Sequence, residues 1–71
     1  MNAKAIGKKL VDLRGAKTQE EVANSLGISI SALSMYERGE RIPRDNIKIR
    51  IAAYYGKPIH EIFFDYETHE T

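Results

Sequence analysis

The chain's 71 residues, 42% hydrophobic and 30% charged, suffice for one small folded domain, and the absence of cysteine excludes disulfides and zinc–thiolate sites. Its net charge of +1 conceals an asymmetry: residues 1–58 hold all 11 Lys and Arg against 6 acids, while residues 59–71 hold 4 acids and no Lys or Arg. A basic body with an acidic end suits a polyanionic partner on one face.

The opening stretch, MNAKAIGKKLVDL, has lysines among its apolar residues and is not a signal peptide. No apolar run of membrane length follows, so a cytoplasmic protein is expected. Within residues 3–14, Ile6, Leu10 and Leu13 recur at i, i+4 and i+7, which predicts an amphipathic helix with Lys8, Lys9 and Asp12 outside. Thr18-Gln19-Glu20-Glu21 then reads as a capping box: Thr18 can accept from the amide of Glu21, and Glu21 can reach back. It opens a second helix through Val22, Ala23 and Leu26, which Gly27 stops.

The next stretch, ISISALSMYERG from Ile28 to Gly39, alternates like a strand at first. The alternation lasts only four residues. Ser29 stands where an N-cap belongs, the residues from Ile30 favour helix, Leu33 and Tyr36 share a face, and Gly39 ends it. A third helix is therefore predicted. The alternation Ile47-Lys48-Ile49-Arg50-Ile51 has no second strand to pair with. As a helix it starts at Asp45 as N-cap and runs to Gly56, with Ile47, Ile51, Tyr54 and Tyr55 on one stripe and Ile49 partly off the core. A short fifth helix, from Ile59 to Phe63 or Phe64, follows Pro58. The expected fold is all-α: one domain over residues 1–71, a bundle of five short helices.

Helix, tight glycine turn, helix is the layout of residues 19–38. The second of these helices can project an outer face into a DNA major groove. The pattern T-Q-x-x-V-A-x-x-x-G-I-S-x-x-x-L-S-x-Y-E-x-G-x-R-x-P, read from Thr18 to Pro43, resembles the Cro and phage-repressor (XRE-like) helix-turn-helix regulators. The resemblance covers residues 6–63 and leaves 64–71 as an acidic C-terminal tail. It implies a lambda-repressor-like domain that binds double-stranded operator DNA as a two-fold homodimer.

Carried over by position, the resemblance assigns DNA contacts to Thr18, Gln19, Ser29, Ile30, Ser31, Ser34, Met35, Arg38, Arg41 and Arg44. Gln19 would meet a phosphate at its helix N-terminus. Ser29, Ile30, Ser31, Ser34 and Met35 would face the groove, and the three arginines would touch the backbone. Glu37 resembles the family's acid that pairs with an arginine of the first helix, here Arg14, in a structural role. Two departures stand out. The link from Arg14 to Thr18 is shorter than in many members, and the groove-facing set lacks the Gln, Asn or Arg forks that read bases bidentately.

Other chemistries find less support. Tyr36, Tyr54, Tyr55, Phe63 and Phe64 fall at helical spacing and read as core or interface residues before stacking platforms. His60 and His69 have no second ligand at metal spacing, and the serines have no histidine base in register, so no metal, cofactor or catalytic site is expected. Ile59, Ile62, Phe63, Phe64 and Tyr66 are more apolar residues than so short an end needs, and a dimer interface is expected there. Three functions follow: a repressor acting by occupying DNA, an antitoxin of the same fold that meets a toxin through IHEIFFDYETHET, or a protein-interaction module without DNA binding. The first is preferred, because the chain shows no second domain for ligand or catalysis.

Overall fold

Five α-helices in chain order make up the fold, and the computed structural model describes residues 2–64. They are α1 (Ala3–Arg14), α2 (Gln19–Leu26), α3 (Ile30–Glu37), α4 (Asp45–Tyr55) and α5 (Ile59–Phe63). No strand occurs among the described residues, so both alternating stretches are helical. The caps and the packed apolar faces outweigh a short alternation.

Each helix starts for a local reason. The Asn2 side chain accepts from the Ala5 amide at 3.1 Å to open α1. At α2 the capping box is complete: Thr18 Oγ1 accepts from the Glu21 amide at 3.1 Å, and Glu21 Oε1 accepts from the Thr18 amide at 2.9 Å. Ser29 Oγ accepts from the Ala32 amide at 3.0 Å to cap α3. Between α2 and α3, Gly27 takes the left-handed conformation at φ 71°, and the Ile28 amide donates to the Ala23 carbonyl at 3.0 Å. The last four of these bonds fix the turn of the motif and its flanks.

One boundary differs from the sequence reading. Arg44, not Asp45, is the N-cap of α4, and it caps with backbone only. Its carbonyl already accepts from the Lys48 amide at 2.9 Å, which leaves Asp45 as the first helical residue. The Asp45 carboxylate there favours the positive end of the helix dipole.

The core gathers Ile6 and Leu10 of α1, Val22, Ala23 and Leu26 of α2, Leu33 and Tyr36 of α3, Ile51 and Ala52 of α4, and Ile62 and Phe63 of α5. Leu13, Ile28, Ile47, Tyr54, Tyr55 and Ile59 pack half-buried around it. Ile49 is exposed, as its place off the stripe requires. The tightest approach is between α1 and α3. A Cβ added at Gly7 would lie 2.5 Å from the Glu37 carbonyl oxygen and 2.8 Å from that of Tyr36. Only glycine fits there.

Two of the residues expected at a dimer surface on the last helix, Ile62 and Phe63, belong to the core instead. Ile62 and Phe63 are 2% and 1% exposed within the chain's own core, and Phe63 is among its largest fully buried side chains. In so small a domain the end of the chain is needed to close the hydrophobic centre. Ile59 is half-buried and Phe64 is exposed, while Tyr66 and the acidic residues 65–71 lie outside the described residues.

Candidate nucleic-acid interface

The locking of α2 against α3 divides the residues of α3 between two duties. Leu33 and Tyr36 point into the core, and Glu37 is buried beside them. Ile30, Ser31, Ser34 and Met35 point away, and with Gln19 of α2 and Arg38 at the end of α3 they line one open surface concavity. Ile30 is 47% exposed, which settles which side of the alternating stretch is free. Six of the ten positions expected to meet DNA thus share one depression.

The other four do not line it. Thr18 and Ser29 are exposed, and their hydroxyls accept the capping amides of α2 and α3. Arg41 and Arg44 are exposed in the segment that joins α3 to α4. Lys17, exposed and close in sequence to this surface, leans on Tyr54, with Nζ 3.1 Å from the phenol oxygen and 4.9 Å from the ring centroid.

A partly buried polar cluster adjoins the concavity through Gln19. Glu37 accepts from Arg14 through Nε at 2.8 Å and Nη2 at 3.2 Å. Its Oε1 also accepts from Gln19 Nε2 at 2.9 Å. Arg14 Nη1 donates in turn to the Lys17 carbonyl at 2.7 Å, across the link between α1 and α2. The pairing of Arg14 with Glu37 is therefore present despite the short link. The hydrogen bond to Glu37 raises the Arg14 pKa above its ordinary value, against the opposing effect of burial. Gln19, which lines the concavity, is consequently tethered to Glu37 by its amide.

Three further contacts escape sequence reasoning. Arg50 Nη1 donates to the Leu26 carbonyl at 3.2 Å, which satisfies an orphan acceptor at the end of α2. Lys48 is buried, its Nζ 3.5 Å from Asp45 Oδ1 and 5.1 Å from the Phe64 ring centroid. At the edge of the concavity, Arg38 meets Glu40, Nε to Oε2 at 3.0 Å and Nη2 to Oε1 at 3.1 Å. Charges two residues apart were the only sequence signal for that pair, and two-residue spacing carries no rule in an irregular turn.

A short helix packed across the start of an exposed one, with a glycine turn between, is the architecture of a DNA-reading motif. Residues 8–62 match the family described as Helix-turn-helix, and the chain belongs to it. Over 62 residues it is also 39% identical to the cryptic phage CTXphi transcriptional repressor RstR of Vibrio cholerae. That alignment covers 84% of this chain and 56% of the relative, so the chain spans little more than half the length of that protein. No solved structure matches. Among the described residues, no group of three or more His, Cys, Asp or Glu side chains gathers as a metal site would require. No described helix is long and apolar enough to cross a membrane.

Proposed function

We propose that this protein binds double-stranded DNA by sequence and represses transcription, acting as a homodimer on a palindromic operator. One observation carries the reading: Ile30, Ser31, Ser34 and Met35 share an exposed concavity with Gln19 and Arg38, while the opposite side of the same helix is locked in the core. With its inner side held, α3 enters a major groove as a rigid ridge. Arg41 and Arg44 follow it within reach of the backbone, and Gln19 meets a phosphate at the N-terminus of α2. The similarity to a phage transcriptional repressor supports repression as the outcome. The reading is one of binding, not of catalysis.

Ile30 and Met35 offer methyl and thioether surface to thymine C5-methyl groups, and Ser31 and Ser34 can donate to or accept from either kind of base edge. Without a bidentate fork, part of the selectivity comes from how easily the operator centre deforms. The exposed Phe64 and half-buried Ile59 of α5 are the apolar surface left for a second copy once Ile62 and Phe63 are assigned to the core. Selection of bound sites from a random duplex pool at stated salt tests the whole reading. A recovered palindrome supports it; a pool that stays random refutes sequence specificity.

A further inference from the structure

We propose that Glu40 is an intramolecular competitor for Arg38, occupying the edge of its guanidinium that a DNA phosphate would use and thereby holding down affinity for duplexes in general. The inference rests on the DNA-binding reading above. Its basis is the geometry of the pair: Arg38 presents Nε and Nη2 to the two carboxylate oxygens of Glu40, at 3.0 and 3.1 Å. That edge is the fork with which arginine grips a carboxylate or a phosphate bidentately. The two partners therefore exclude each other at that edge. While Glu40 holds that edge, Arg38 keeps two N–H groups on Nη1 and one on Nη2 for a phosphate, but the carboxylate beside them offsets the arginine's charge and repels the anion.

The position makes the exclusion consequential. Arg38 is one of the six residues lining the concavity, and among the described residues no other cation lines it. The pair is more than half exposed on both sides, 58% for Arg38 and 54% for Glu40, so it opens readily and adds little to the fold. Non-specific duplex binding is governed by the number of phosphates that cations neutralise. An anion fixed on one of those cations reduces that number for every sequence. On a duplex whose bases fit Ile30, Ser31, Ser34 and Met35, the groove contacts hold α3 in place while Arg38 exchanges Glu40 for phosphate.

The test is a four-way comparison of the full chain on a random-sequence duplex across a salt series: wild type, Glu40→Gln, Arg38→Ala and the double variant. Thermal melts accompany it, and the exposure of both side chains predicts melts close to wild type. Glu40→Gln is expected to bind about fivefold more tightly near 0.1 M salt and to steepen the salt slope by up to ~0.9, the value of one further neutralised phosphate. In the Arg38→Ala background the same substitution should give less than half that gain on a logarithmic scale. An equal gain in both backgrounds would mean a general charge effect and overturn the proposal, as would no gain at all in the wild-type background. A wild-type chain that bound no duplex at any salt would overturn the DNA-binding reading itself.

Discussion

Glu37 lies at the end of α3 with its side chain 3% exposed, and Arg14 reaches it from α1 with two hydrogen bonds, Nε to Oε2 at 2.8 Å and Nη2 to Oε1 at 3.2 Å. The pair clamps the first helix to the end of the exposed one. Removing Arg14 leaves a buried carboxylate to which, among the described residues, only the Gln19 amide donates a side-chain hydrogen bond. Arg14→Ala is expected to destabilise the domain by about 2–3 kcal/mol, less than a fully enclosed pair because Arg14 is one-fifth exposed. The Arg14→Met, Glu37→Met double variant should lose less than Arg14→Ala, since it leaves no charge behind. Urea unfolding of the three proteins checks both statements, and a double variant worse than the single would refute the second.

At Gly7 two effects oppose each other. Alanine in mid-helix gains about 1 kcal/mol over glycine. The added Cβ would come 2.5 Å from the Glu37 carbonyl oxygen, inside any real contact distance, and the obstacle is backbone. Overpacking of this kind costs about 1–3 kcal/mol and here falls on the α1–α3 contact. Gly7→Ala is expected to lower the unfolding midpoint; a rise would mean that α1 can shift away without loss.

Tyr55 carries a buried hydroxyl that has no hydrogen-bond partner among the described residues. Burial first, and the nearby Glu37 carboxylate second, push its pKa up to about 12 from the usual value near 10. The sign follows from which state holds the proton more tightly. The folded state does, so this contribution to stability is complete below pH ~10 and fades as the pH rises through ~12. The phenolate absorbance of wild type minus that of Tyr55→Phe should show the delayed titration. At neutral pH, Tyr55→Phe should be neutral or stabilising, because it removes a desolvated hydroxyl that makes no bond.

Ile30 separates reading from folding. It is 47% exposed on the outer side of α3, so Ile30→Ala should melt close to wild type. On the selected operator it should lose the preference for thymine opposite that position. Replacing those thymines by uracil removes one methyl each and should cost wild type about 0.8 kcal/mol per fully buried methyl, roughly fourfold in affinity. The same replacement should leave Ile30→Ala unaffected. Equal losses in both proteins would place the methyl contact elsewhere, with Met35 the next residue to test.

Arg41 and Arg44 should act on all sequences alike. Each substitution by alanine is expected to flatten the dependence of log K on log salt by about 0.9 while leaving the preferred sequence unchanged. A changed preference with an unchanged slope would assign that arginine to base contact. Fluorescence anisotropy on specific and random duplexes over a salt series separates the two.

The sequence by itself determined the five helices and the turn of the motif, because those depend on contacts within a few residues. The capping box at Thr18 and Glu21, the Ser29 cap and the left-handed Gly27 are all closed by neighbours at most four positions away. It also marked Arg14 and Glu37 as partners, though only through a family resemblance, since nothing local joins residues so far apart. What the tertiary structure decided is which of the remaining side chains have company. Ile62 and Phe63 look like spare apolar surface until α5 is seen to fill the core, and Lys48 looks solvated until the rings of Phe63 and Phe64 are found beside it. Gly7 has no meaning in a helical pattern except as a weak point, and only the backbone of α3 against it gives the reason. Arg38 and Glu40 are two ordinary surface charges in the sequence, and the bend of the chain after α3 is what turns them face to face. Local rules set the helices; the direction each side chain points, and what it meets there, is fixed by packing between helices distant in sequence.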